Sequence, residues 1–144
     1  MLNFKSFINE KKSKEGRVLY FLHPSITFEK TPETKSIELI DIYFDSPLIY
    51  NIPDKRGKFF TFADELDTVV ILPFTNGKIS PKMWRRLVYS FDKGLDVFYI
   101  HPKKYKIIKI EDIEFFEEKT IDKETWKEIR HDDDIEQYFT EVEE

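Results

Sequence analysis

Asp67-Thr68-Val69-Val70-Ile71-Leu72 opens the stretch, closing at Ile100, whose reading decides the fold. Four of the five residues Thr68 to Leu72 are β-branched and the run does not alternate, which suits a strand buried on both faces and therefore a parallel sheet. The run stops at Pro73, and Phe74 to Lys78 read as a turn around Asn76-Gly77. Ser80 offers a capping hydroxyl and Pro81 a pre-set φ for the first helical position, so a helix is expected from there to Lys93, with Gly94 as its left-handed C-terminal residue. Met83, Trp84, Leu87, Val88 and Phe91 share one side of that helix; Arg85, Arg86, Tyr89 and Lys93 share the other. Val97 to Ile100 is a second apolar run, closed by His101-Pro102. Strand, loop, capped helix and strand make a right-handed βαβ unit whose loops lie at the carboxyl ends of the strands, where ligand sites of open α/β sheets form.

Working toward the N-terminus, Phe59 to Leu66 reads as a weaker helix and Leu48 to Ile52 as a strand ending at Pro53. Thr31-Pro32-Glu33 repeats the cap-plus-proline start, and Ile37, Leu39, Ile40, Ile42, Tyr43 and Phe44 leave only a narrow polar strip, so that helix is expected to be covered on two sides. Arg17 to Leu22 is the first strand, ending in His23-Pro24-Ser25, and Ile26 to Lys30 an irregular loop; before it come a short helix over Asn3 to Glu10 and a charged linker. Toward the C-terminus, Tyr105 to Ile110 is a fifth or edge strand, while Ile113, Phe115 and Phe116 fit either a continued strand or the start of a helix. Lys123 to Arg130 reads as a helix, and Ile135, Tyr138, Phe139 and Val142 as the apolar stripe of a last one. The alternation predicts a single α/β domain of three layers, Rossmann-like or flavodoxin-like. Its mainly parallel five-stranded sheet has the order 2-1-3-4-5, with helices on both faces and a C-terminal helical extension over residues 111–144. The expected crevice lies between His23–Ser25 and Pro73–Gly77.

The chain of 144 residues is long enough for one core, and no apolar run approaches a membrane span. Met1 to Lys14 lacks the apolar centre of a secretory signal, so a cytoplasmic protein is expected. Without cysteine there are no disulfides, thiolate nucleophiles or Cys-metal sites. The net charge of −5 hides an asymmetry: residues 1–110 carry 19 Lys/Arg against 13 Asp/Glu, and residues 111–144 carry 4 against 15. The acidic third argues against nucleic-acid binding and is either a solvated helical extension or a cover for a basic surface. The stripe at residues 135–142 needs burial, which points to a homo-oligomer, most simply a two-fold dimer.

Leu19 to Leu22 with His23-Pro24, Thr31-Pro32-Glu33 leading into Leu39-Ile40, Ile49, Asn51 and Pro53, Ala63 to Val70, and Gly77-Lys78-Ile79-Ser80 with Trp84, Ser90 and Gly94 together resemble the nucleoside 2-deoxyribosyltransferase-like family of small Rossmann-like proteins. The resemblance covers about Arg17 to Ile110. It implies a nucleotide- or nucleoside-sized ligand. In the active enzymes a glutamate four residues before a small residue on the third helix attacks the anomeric carbon. With Ser90 as that small residue, Arg86 stands in the glutamate's place, and a guanidinium is neither a nucleophile nor a general base. The resemblance therefore implies ligand binding without the family's nucleophile. The alternatives are an N-glycosidase or deoxyribosyltransferase using another carboxylate, and a protein-interaction module.

His23 and His101 both end a strand in His-Pro and should reach the carboxyl edge of the sheet, where they could bond a ribose or phosphate; the plainer reading is that His-Pro simply terminates the strand. Asp67 is the weak catalytic candidate, ahead of Asp64 and Glu65, which read as a solvated helix end. Ser25, Thr75, Asn76 and Lys78 complete the expected ligand set with His23, Asp67, Arg86 and His101. Gly77-Lys78-Ile79-Ser80 superficially resembles a phosphate loop but lacks the upstream glycines; amides at the helix start, with Lys78, Lys82, Arg85 and Arg86, would still favour an anion. There is no Ser-His-Asp order, zinc motif or dinucleotide fingerprint, so no metal or cofactor is implied.

Overall fold

Strands Val18–Leu22 (β1), Leu48–Tyr50 (β2), Thr68–Ile71 (β3), Asp96–Ile100 (β4) and Ile107–Ile110 (β5) form one sheet in the computed structural model, which describes residues 16–52 and 58–129. The order is β2-β1-β3-β4-β5, as the alternation of elements predicts. β1, β2, β3 and β4 pair in parallel, whereas β5 pairs with β4 antiparallel. A parallel crossover needs a dozen or more residues, and residues 101–106 are too few, so the chain turns back as a hairpin. Every residue of β3 is buried, which is why its sequence runs apolar without alternating.

Alternate side chains of the sheet enter two cores. On one face Leu19, Phe21, Val70, Leu72, Phe98 and Ile100 pack with Ile40 of helix α1 (Thr31–Tyr43) and with Phe44. On the other face Tyr20, Leu22, Val69, Ile71, Val97 and Tyr99 meet Phe59 of α2 (Lys58–Phe62), and Met83 and Leu87 of α3 (Pro81–Asp92). Full burial of each such side chain stabilises the fold by about 1.5–3 kcal/mol.

The α3 boundaries follow the local chemistry. Ser80 Oγ accepts the Met83 N–H at 3.2 Å, Pro81 opens the helix, and Gly94 takes φ +77° beyond its end. At α1 the expected cap fails: Lys30, not Thr31, holds the cap position, no side chain caps it, and Glu33 Oε1 instead accepts the Glu29 N–H at 2.7 Å. Nor is α1 covered on two sides, since Ile42 is 81% and Tyr43 50% exposed; only the face bearing Ser36 and Ile40 meets the sheet. The expected helix over 59–66 divides into α2 and a 3-10 turn, Ala63–Glu65.

Residues Ile113–Phe116, open between strand and helix in the sequence, form a 3-10 turn that Asp112 caps by accepting the Glu114 N–H at 2.9 Å. A parallel bridge between Ile79 and Thr120 then ties this segment to the β3–α3 loop, before the last described helix, α4 (Lys123–Ile129). The expected elements at 3–10 and 135–142, and with them the stripe invoked for dimerisation, lie outside the described residues. No described helix is long and apolar enough to cross a membrane.

Candidate functional site

The strand order reverses between β1 and β3, and a cavity of about 510 Å³ opens at their carboxyl ends. One wall is the exit of β1, His23 to Ser25 with Phe28; another is Phe74 and the first turn of α3; α4 closes the third. The Ile79–Thr120 bridge holds α4 there, with Ile79 N–H donating to Lys119 O and Ile121 N–H to Ile79 O, both at 2.9 Å. Trp126 completes the contact, its ring centroid 6.0 Å from that of Phe74.

Lys82 and Arg85 from α3, and Lys123 and Lys127 from α4, bring four cationic side chains to this cavity, and among the described residues neither Asp nor Glu lines it. Cationic side chains gathered round a partly enclosed space favour an anion within it. Phe28, Phe74 and Trp126 add aromatic surface beside the charge. The site thus suits a ligand with an anionic part and a flat or apolar part.

His23 lies in the wall with no side-chain exposure, between Phe21 (centroids 4.2 Å) and Phe28 (4.0 Å). Its Nε2 is 2.8 Å from Asn51 Oδ1; Asn51 Nδ2 donates to Glu33 Oε2 at 2.9 Å, and that carboxylate is 3.6 Å from Nε2. Nδ1 bonds the Thr27 hydroxyl, which also reaches Pro24 O at 2.6 Å. Asn51 Oδ1 can only accept, so the proton of the neutral imidazole sits on Nε2, and Nδ1 shares the one Thr27 hydroxyl hydrogen with Pro24 O. Burial pushes the His23 pKa below 6.5, outweighing the Asn51 bond and the Glu33 charge that pull it up. With both nitrogens engaged inside the protein, His23 shapes the wall and joins β1, β2 and α1. Ser25 stands exposed at the rim.

The remaining expected residues separate. Thr75, Asn76, Lys78 and His101 line a different groove, on the other side of the turn, with Tyr99. Arg86 lines neither depression: it is 4% exposed, with its guanidinium 4.5 Å from the Phe60 ring centroid and 6.0 Å from that of Phe59. The side expected to be polar is therefore partly covered, and Arg85, a quarter-turn away, is the arginine at the cavity.

Asp67 is at the opposite edge. It precedes β3, so in a parallel sheet it belongs to the amino ends, about 13 Å along the strand from the crevice. There Oδ2 accepts the Val18 N–H at 3.1 Å and Oδ1 the Thr68 hydroxyl at 2.7 Å. Asp64 and Glu65 are exposed in their 3-10 turn, with Glu65 accepting from the Tyr50 hydroxyl.

Gly77-Lys78-Ile79-Ser80 is a turn, not a phosphate loop. Gly77 N–H donates to Phe74 O at 2.8 Å, Lys78 N–H to Asn76 Oδ1 at 2.9 Å, Ile79 N–H to Lys119 O, and Met83 N–H to the Ser80 cap. These amides are committed to holding the loop, so anion recognition falls to side chains. Sequence reasoning missed Lys123, Trp126 and Lys127, although their i, i+3, i+4 spacing places them on one helical face. Among the described residues no group of three or more His, Asp or Glu could hold a metal ion. No protein-family model, curated protein or solved structure matches the chain.

Proposed function

We propose that the protein binds a nucleotide, or a nucleoside bearing an anionic group, in the β1/β3 cavity of a Rossmann-like scaffold resembling the nucleoside 2-deoxyribosyltransferases, without the glutamate chemistry of that family. The observation that carries this reading is the lining itself: among the described residues, four cations, three aromatic rings and no carboxylate, at the reversal of strand order. Phosphate would meet Lys82, Arg85, Lys123 and Lys127, and a base would stack on Trp126 or Phe28. A cavity of about 510 Å³ is in the range that holds small ligands.

The N-glycosidase or transferase reading requires a carboxylate within reach of the anomeric carbon. Asp67 lies at the other edge of the sheet and Arg86 is packed against Phe60, so binding is the reading that geometry favours. The test is a melting-temperature screen against nucleosides, nucleoside mono- and diphosphates, cyclic nucleotides and ADP-ribose. A ligand at a hundred times its Kd adds about 2.7 kcal/mol, enough to raise Tm by roughly 5–10 °C in a domain of this size. The phosphorylated compounds should produce the shift and Arg85→Gln should reduce it. No shift with any of them at millimolar concentration overturns the reading, and base released on prolonged incubation would restore the enzymatic one.

A further inference from the structure

The turn at Thr75 to Lys78 separates two depressions of the carboxyl edge, and the second shares no lining residue with the cavity. It is a groove of about 470 Å³ between this turn, the β4 exit at His101 to Lys103, and Glu118-Lys119. Tyr99 forms part of its lining. The phenol ring is 5% exposed and packs on Phe115 and Phe116, with centroids 5.0 and 6.0 Å away. Its hydroxyl lies beside Gly77, where an added Cβ would stand 3.9 Å from the oxygen.

That hydroxyl makes no hydrogen bond to any described residue and is not sealed from solvent, so it can donate to a ligand in the groove. Asn76 Oδ1 accepts the Lys78 N–H and holds the turn beside it. His101 adds a second donor, because its Nδ1 accepts the N–H groups of Lys103 and Lys104, each at 3.1 Å, and the ring proton of the neutral imidazole then sits on Nε2. Lys78, Lys103 and Lys119 bring positive charge, against one carboxylate, Glu118, among the described residues.

We propose that this groove is a second anion site, taking a phosphate-type oxyanion through the Tyr99 hydroxyl, His101 Nε2 and Lys78. A tetrahedral oxyanion presents more acceptor oxygens than a carboxylate and so matches donors converging from separate segments. Burial raises the Tyr99 pKa to about 12, so the phenol keeps its proton and donates at neutral pH. The phosphate is either free or part of a nucleotide that reaches across the turn. The site does not rest on the nucleotide reading of the cavity.

The test is a calorimetric titration of the full-length protein with inorganic phosphate against sodium chloride of equal ionic strength. Saturable binding is expected, weakened about tenfold by Tyr99→Phe and by Lys78→Gln, the loss of one hydrogen bond to a charged group, and unchanged by Lys109→Gln, which lines neither depression. Tyr99→Phe keeps the ring packing, so its Tm and circular dichroism should match those of the parent. No saturable binding, or binding that Arg85→Gln removes while Tyr99→Phe and Lys78→Gln leave it intact, overturns the proposal. Titration with a nucleoside monophosphate separates the sources. Competition with inorganic phosphate, together with weakening by Lys78→Gln, assigns the groove to the nucleotide's own phosphate; simultaneous binding assigns it to free phosphate. Phosphate binding without any nucleotide binding overturns the reading of the cavity and leaves this one standing.

Discussion

His23 and Asp67 carry the residue-scale predictions, for opposite reasons. His23 is harder to protonate folded than unfolded, because burial disfavours the imidazolium more than Asn51 and Glu33 favour it. The unfolded chain thus takes up more protons as pH falls through 6.5, so the contribution of His23 is full above that value and is lost progressively down to the folded pKa. Protonation would also put a hydrogen on Nδ1 and turn the Thr27 hydroxyl wholly to Pro24 O, at the cavity wall. Melting curves between about pH 8 and pH 5 should show Tm falling below 6.5, and His23→Gln should flatten the slope; an unchanged slope removes His23 as its source. Asp67 holds the Val18 amide, so Asp67→Ala should cost about 1–3 kcal/mol in urea unfolding and leave the nucleotide Kd unaltered. A lost ligand response with unchanged stability would put Asp67 back among the binding residues.

At the scale of elements, the short helix α4 decides the character of the cavity. It brings Lys123, Trp126 and Lys127 from a segment otherwise rich in acid, and it reaches the carboxyl edge because Ile79 exchanges backbone hydrogen bonds with Lys119 and Ile121. Removing the indole takes away one stacking surface while the bridge and sheet remain. Trp126→Ala should weaken nucleotide binding by about 1–3 kcal/mol. Equilibrium dialysis against the parent protein checks this, and equal affinity would move the base to Phe28 or off the aromatic surface altogether. The α3 helix had the most legible boundaries, since Ser80, Pro81 and Gly94 act within one or two residues of the ends they set. Thr31 offered the same signal and did not cap, because α1 starts one residue earlier and leaves Lys30 at the cap.

For the whole molecule, charge is concentrated where the ligand would bind. Association with a phosphorylated ligand should therefore weaken several-fold as sodium chloride rises from about 0.05 to 0.5 M, while an uncharged nucleoside is little affected, because the Debye length contracts below the spacing of such charges. Equal salt dependence for both would show that the four cations do not act on phosphate. The sequence by itself determined the α/β class, the strand order, the placing of loops at the carboxyl ends and the capped helix between β3 and β4. Unbroken β-branched runs require burial on both faces, and caps, prolines and glycines act on their immediate neighbours. Only the tertiary structure decided that Arg86 is enclosed by Phe59 and Phe60, that Asp67 serves the amino edge, and that His23 is bonded on both nitrogens. It alone also divided the expected ligand residues between two depressions. Each of those outcomes depends on partners distant along the chain, such as Val18 with Asp67, His23 with Asn51, and Ile79 with Thr120, and neither periodicity nor local propensity specifies which distant groups will meet.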